Sequence, residues 1–237
     1  MDVFGNMNSD DLYDLELLEQ DYFPVLEKKS NMILSFLEGK KILDIGCGTG
    51  NLLNFLTNKN FELFGSDYSE NYLIKARKKI STCKFFQADL LNDKFWMNHN
   101  NQYDSIICSE VLEHLEDDLK ALKNIHIILK NNGVLVITVP ALMSLYSDFD
   151  KKIGHHRRYN MNQISKTLQI AGFKIENNHF WNFFGMFGWF LLFKLLKLNI
   201  QKTSSPILGK ILGNLLSIES KIHFPIGQTI VIKARKI

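Results

Sequence analysis

From Lys40 to Pro140 the chain alternates two hydrophobic patterns. Runs that are apolar at nearly every position (KKILDIG, FELFGSD, CKFFQAD, YDSIICSE, GVLVITVP) stand between longer segments, such as SENYLIKARKKI and DDLKALKNIHIILK, whose apolar residues recur at helical spacing. A run without a polar face suits a strand buried on both sides, and a helix with one apolar stripe suits the cover of such a sheet. Strand-then-helix alternation implies right-handed crossovers, so the pattern predicts an α/β, doubly wound, mostly parallel sheet with helices on both faces. A short helix is expected after the third strand, and a turn at Asn131, Asn132 and Gly133 before the fifth.

The rhythm changes at both ends. Ser9 and the acids after it can cap a helix in which Leu12, Leu15 and Leu18 share a face. A second helix, LEKKSNMILSFLEG, ends at Gly39, where a left-handed cap is free of strain. After Pro140 a connection carrying DFDKKIGHHRRYN leads to a helix, NMNQISKTLQIAG, a strand, GFKIENNHF, and a last strand, QTIVIKARK. The stretch between those two strands, 181–227, is roughly forty-five residues long, against roughly 2 to 5 for a hairpin loop. The chain therefore reads as an N-terminal helical cap, 1–39, and one domain, 40–237, with a helical insertion at about 181–227.

Composition narrows the class. With 46% hydrophobic and 22% charged residues in 237, the chain suits one sizeable core and neither disorder nor a polytopic membrane protein. A net charge of +3 is too small to call for a nucleic-acid partner, and none is expected. Cys47, Cys83 and Cys108, an odd number without a C-x-x-C pair, suit free thiols in a reducing compartment. The acidic N-terminal stretch lacks the basic start and apolar run of a secretion signal, so a cytoplasmic location is expected.

Candidate chemistry gathers at the strand ends. In KILDIGCGTGNLLNFL a strand runs into Gly46, Cys47, Gly48 and Gly50 and then a helix, so the backbone can turn tightly and offer unpaired N–H groups to a ligand. A dinucleotide fingerprint would place its third glycine at Asn51, and a phosphate-binding loop would continue G-K-S/T; neither is present. Asp44, two residues before the first glycine, would repel a pyrophosphate and favour a cationic ligand such as S-adenosylmethionine. Roughly twenty residues on, Asp67 ends the second strand, where a carboxylate can accept from two ribose hydroxyls. Tyr68 can pack on adenine, Asp89 can accept from its exocyclic amine, and Leu90 can line the ring. One strand-end Asp is more often a helix cap; three beside a glycine loop are a stronger signal.

On LDIGCGTG, Asp67, QADL and SIICSEVLEHLED, residues 40–140 resemble the class I S-adenosylmethionine-dependent methyltransferases. The resemblance implies a seven-stranded Rossmann-like sheet whose last strand is antiparallel, with S-adenosyl-L-methionine as cofactor. It further implies that Ser109 and Glu110 border the methionine end of the cofactor and that His114 faces the reacting methyl group. GHHRRY and PIGQTIVIKARK resemble a bacterial set associated with cell-surface glycans or lipid-linked intermediates.

Methyl transfer is an in-line displacement that depends mainly on positioning. A hydroxyl acceptor gains from a base near neutral pKa, with His114, His155 and His156 as candidates; an amine needs only to lose its proton. CSEV stands where a nucleobase-amine enzyme would carry Asn/Asp-Pro-Pro-Tyr. No metal is expected, because adjacent histidines diverge on a regular element and no third ligand lies at a recognised spacing. Arg157 and Arg158 can hold a phosphate or carboxylate with Tyr159 stacked beside them. The aromatic stretch from Trp181 to Lys197 is too short to span a bilayer and leaves three roles open: a core or homodimer contact, a wall for an apolar substrate, or peripheral membrane contact at the inner face. The expected function is methyl transfer to a hydroxyl or amine of a small molecule, a glycan or lipid-linked anionic acceptor. The rivals are a nicotinamide-dependent reductase and a non-catalytic, cofactor-binding, membrane-associated protein.

Overall fold

In a computed structural model, which describes residues 23–197, 206–219, 222 and 224–237, the expected alternation is present. Helix α1 (Phe23–Phe36) precedes β1 (Lys41–Ile45), α2 (Asn51–Leu56), β2 (Glu62–Asp67), α3 (Glu70–Lys79) and β3 (Lys84–Gln87). Then come α4 (Asp93–Met97), β4 (Tyr103–Ser109), α5 (Asp118–Ile128), β5 (Leu129–Pro140), α6 (Asp148–Lys152) and α7 (Met161–Ile170). The chain closes with β6 (Phe173–Trp181), α8 (Phe183–Trp189), α9 (Pro206–Glu219) and β7 (Thr229–Lys236). The helix expected around Leu12, Leu15 and Leu18 lies outside the described residues.

The seven strands form one sheet in the order β3-β2-β1-β4-β5-β7-β6, with β7 antiparallel to both of its neighbours and the other pairings parallel. Alternate residues of the central strands serve opposite faces. Leu43, Ile106, Cys108, Leu135 and Ile137 join the core with Trp96, Ile125 and Leu168. Ile42, Ile107, Val134 and Val136 join the other core with Ile33, Leu53 and Leu73. Apolar residues at every position of these strands are thus explained by burial on both sides.

Two local features turn on a residue in the left-handed region. Gly39 has φ 77°, and a Cβ there would lie 2.3 Å from the Cβ of Asp104, whose Oδ2 accepts the N–H groups of Lys40 and Lys41 at 3.0 and 2.8 Å. The turn expected at Asn131–Gly133 appears instead as an irregularity inside β5: Tyr103 pairs Leu129 but Ser105 pairs Val134. Asn132 at φ 61° absorbs the extra residues without breaking the extended run.

The insertion is partly docked. Phe183 stacks on Phe224 at 4.2 Å between ring centroids, and its N–H meets both carboxylate oxygens of Glu219 at 3.0 Å, which caps α8. Trp189 reaches back to Phe149 at 5.2 Å and to the guanidinium of Arg158 at 4.7 Å. Phe187, Phe190, Leu191, Leu195 and Leu196 stay exposed. No helix among the described residues is long and apolar enough to cross a membrane.

Candidate active site

The parallel strands end together, and the loops beyond β1, β2, β3 and β4 share one edge. Gly46, Gly48 and Gly50 turn the first loop with φ of 70°, 53° and 79°, the left-handed region that disfavours a side chain. A Cβ at Gly46 would lie 2.3 Å from Cγ2 of Val111, and one at Gly50 would lie 3.1 Å from Cδ1 of Ile80. A Cβ at Gly48 would meet nothing within 4 Å. Packing therefore demands glycine at 46 and crowds a side chain at 50, while the middle glycine has no neighbour at its Cβ position among the described residues, so a ligand there can come close to the backbone.

Asp67 ties this loop to the next. Its Oδ2 accepts the N–H of Gly48 at 2.8 Å and its Oδ1 accepts that of Ser69 at 2.8 Å, which leaves lone pairs on both oxygens for hydroxyl donors. Burial raises its pKa, and the N–H groups of Ser69 and Gly48 oppose that rise. Asp44 is only 3% exposed; burial first, and the neighbouring Asp67 second, push its carboxyl up to about 8, with Lys29 opposing. Two acids beside a glycine loop suit a cationic ligand with ribose hydroxyls, and the donor set fits S-adenosylmethionine on that ground. Cys47 is a buried part of the loop, and its thiol is raised by burial and by Asp44. Tyr68 is exposed at the same edge, with its carbonyl accepting from Gln87 Nε2 at 2.9 Å. Asp89 is exposed; its Oδ1 accepts the Leu91 N–H at 2.8 Å, and its carbonyl accepts from Trp96 Nε1 at 2.8 Å. Leu90 between them is buried.

At the end of β4 a hydroxyl ladder sets Glu110. Ser109 Oγ lies 2.8 Å from Thr138 Oγ1, which donates to Glu110 Oε1 at 2.9 Å. Glu110 has φ 55°, a strained value for a residue with a side chain, and its N–H bonds the Thr138 carbonyl at 2.9 Å. Lys29 on α1 pairs with Glu110 at 2.8 Å. Against the cost of burial, Lys29 and Thr138 hold the Glu110 carboxyl at about 2. Lys29 belongs to no motif, so sequence reasoning missed it; only the packing of α1 over this edge reveals it.

Val111, seated on Gly46, leads into a 3-10 turn, Leu112–His114. The turn buries Glu113 completely and sets its Oε1 3.8 Å from His155 Nε2. The rings of His114 and His155 meet edge to face at 4.6 Å. His155 Nδ1 lies 3.0 Å from Asp150 Oδ1. Burial, and then His155, lower the His114 pKa to about 4, and the ring's bond to the Gly154 backbone opposes them. Burial and the nearby Glu110 raise Glu113 well above the usual carboxylate range. The structure thus brings two of the three candidate histidines together. His156 is exposed and stands outside that cluster, with its backbone N–H 2.8 Å from the Glu113 carbonyl.

The arginines after it are also engaged within the fold. Arg158 is buried, with Nε and Nη2 at 2.8 and 2.7 Å from Asp150 Oδ1, and Ser147 completes the hold on that carboxylate through its N–H at 2.8 Å and hydroxyl at 2.9 Å. Arg157 donates to the Glu116 carbonyl at 2.9 Å and pairs with Asp118 at 3.4 Å. Tyr159 is fully buried and donates to Asp118 Oδ2 at 2.9 Å. Of the residues expected to form an acceptor clamp, Arg158 and Tyr159 are thus buried and engaged inside the fold, on Asp150 and Asp118.

Known proteins resemble the chain in sequence and in fold. Residues 19–185 match the family model described as a methyltransferase domain. An uncharacterized protein of Methanocaldococcus jannaschii is 33% identical over 149 residues, which cover 61% of each chain. A ubiquinone biosynthesis O-methyltransferase of Actinobacillus pleuropneumoniae is 32% identical over 129 residues, 51% of each chain. The chain thus spans about half to three fifths of the length of these relatives. The crystal structure of an S-adenosylmethionine-dependent methyltransferase from Archaeoglobus fulgidus shares the fold with a TM-score of 0.64 at 22% identity, covering 94% of this chain and 99% of the other. The chain belongs to the methyltransferase-domain family, whose cofactor is S-adenosylmethionine.

Proposed function

From this membership we propose that the chain transfers a methyl group from S-adenosylmethionine to a hydroxyl oxygen of a small acceptor with an apolar, lipid-like part. The observation that carries the reading is the contact of Val111 with Gly46, because it seats the buried Glu113–His114–His155 cluster directly beside the cofactor loop. When bound, the cofactor supplies an electrophilic methyl on a sulfonium. Asp67 is placed to accept from ribose hydroxyls, Gly48 leaves room for the approach, the ionised Glu110 favours positive charge, and a bound cation would draw the neighbouring Asp44 carboxyl toward its ionised form. His114, held neutral by burial, is the candidate proton acceptor for the hydroxyl. A relative at 32% identity is named as an O-methyltransferase, which supports oxygen over nitrogen.

The acceptor class rests on the insertion. Trp189 packs on the segment that carries His155 and Arg158, while its neighbours Phe187, Phe190 and Leu191 remain exposed beside Lys194 and Lys197. This arrangement suits an acceptor drawn from a lipid surface. With Arg158 and Tyr159 committed internally, an anionic acceptor loses its main support.

Incubating the protein and methyl-labelled cofactor with soluble and lipid-extractable cell fractions tests this. Label is expected in the lipid fraction, on oxygen by mass fragmentation. Label confined to the soluble fraction would reject the apolar acceptor. Thermal stabilisation by a nicotinamide dinucleotide but not by S-adenosylmethionine would reject the whole reading.

A further inference from the structure

We propose that Glu113, His114 and His155 form a binding site for one divalent transition-metal cation of the zinc or manganese class, placed to take the acceptor oxygen as a further ligand. The proposal rests on the methyl-transfer reading for its use, but not for its existence.

Each of the three residues offers one ligand atom, and these atoms lie within 4.8 Å of one another. Tetrahedral ligands at about 2.0–2.2 Å from one ion stand roughly 3.3–3.6 Å apart, so the 3.8 Å between Glu113 Oε1 and His155 Nε2 closes by a few tenths of an ångström and the widest separation by no more than about 1.5 Å. Glu113 supplies an independent sign. It is fully buried, neither of its carboxylate oxygens has a hydrogen-bond partner of ordinary geometry among the described residues, and the nearby Glu110 is another acid, which opposes its ionisation. Such a group in a protein interior calls for a partner, and a cation seated between it and two imidazoles is one.

The support around His155 points the same way. Asp150 faces Nδ1, so the hydrogen-bond network assigns the ring proton to that nitrogen and leaves the Nε2 lone pair facing Glu113. Asp150 is itself locked by Arg158 and Ser147. A carboxylate behind the ligating imidazole is the arrangement that orients histidine at metal centres. One oxygen and two nitrogen ligands select borderline ions over magnesium, and three protein ligands leave coordination positions for an exogenous oxygen.

The chemistry follows from the place. A hydroxyl bound to the ion gives up its proton to water more readily. Its oxygen then forms the new bond to the methyl carbon as the carbon–sulfur bond breaks and leaves its electron pair on sulfur. The role assigned to His114 as base would pass to the ion, with His114 as its ligand.

Calorimetry on chelator-treated full-length protein with zinc, manganese and magnesium chlorides, together with the visible spectrum of the cobalt form, tests the site. One ion per chain is expected, with zinc or manganese bound at least tenfold more tightly than magnesium. Glu113→Gln and His155→Gln should each weaken binding at least 100-fold, while His156→Gln binds as wild type. Melting of metal-free Glu113→Gln, expected no lower than wild type, separates loss of a ligand from loss of fold. Absence of binding to wild type, or wild-type affinity in both Glu113→Gln and His155→Gln, would overturn the site. Methyl transfer by chelated, metal-free protein at the full rate would remove the metal from the reaction and leave the proposed function standing. Metal bound without any methyl transfer would uphold the site and count against that function.

Discussion

Asp67 and Glu113 are both buried acids at the carboxyl edge of one sheet, and they are held in opposite ways. Asp67 accepts two backbone N–H groups from the loops it joins, so its support is built from the main chain of residues close to it. Glu113 is fully buried with no hydrogen-bond partner of ordinary geometry for its carboxylate among the described residues, and its ionisable neighbours are Glu110 on the same loop and His155 some forty residues on. The first arrangement is complete in itself, with each carboxylate oxygen tied to a backbone N–H. The second is an incomplete constellation that calls for something brought in from outside. Around Glu113 the rigidity is supplied by the shell behind it, where Arg158, Asp150, Ser147 and His155 form a connected buried chain.

The contrast can be broken most forcefully at that shell. Arg158→Ala leaves the Asp150 carboxylate buried and uncompensated, and should cost about 3–5 kcal/mol of stability in denaturant melts, with His155 losing its fixed orientation. A loss under about 1 kcal/mol would mean that the shell is not a strut. On the other side, Asp67→Ala removes the charge-assisted partner of the ribose hydroxyls. It should weaken S-adenosylmethionine binding by about 1.5–3 kcal/mol, a factor of roughly 10 to 150 by calorimetry. Unchanged affinity would show that the glycine loop holds the cofactor without this acid.

A pH series sharpens the comparison. The Asp44 carboxyl sits at about 8 in the folded chain against roughly 4 when unfolded, so its favourable contribution is complete below pH 4 and is lost as pH rises toward 8. Cofactor-free wild type should therefore lose stability relative to Asp44→Asn by up to about 1.4 kcal/mol per pH unit between pH 5 and 7. Parallel curves for the two proteins would show that Asp44 is ionised in the fold. The smallest effect is expected at Tyr159→Phe, which removes a buried hydroxyl from Asp118 and should cost about 1–2 kcal/mol while leaving cofactor affinity unchanged.

The fold was legible because its signal repeats. Ile42 and Leu43, Ile106 and Ile107, and Val134 and Leu135 each put neighbouring residues into opposite cores, and only a sheet covered on both faces needs that pattern. The cofactor side was legible for a related reason. Gly46, Gly48, Gly50, Asp67 and Asp89 each sit just where a strand ends, and strand ends can be read from local pattern. The acceptor side was not. GHHRRY reads as an acceptor clamp of two arginines whose adjacent histidines diverge; which histidine turns in, His155, and that Arg158 is spent on Asp150, the stretch does not say. Lys29, which pairs with Glu110 from across 81 positions, carried no sign of its role.

By itself, then, the sequence determined the winding of the sheet, the glycine loop and the acids that flank it, because backbone geometry and burial leave their period and their turn residues in every local window. Only the tertiary structure decided the partners of the buried charges. An ion pair or ligand cluster requires proximity alone, and proximity between Glu113 and His155, or Lys29 and Glu110, is set by how helices and loops pack over the sheet edge and leaves no spacing in the chain.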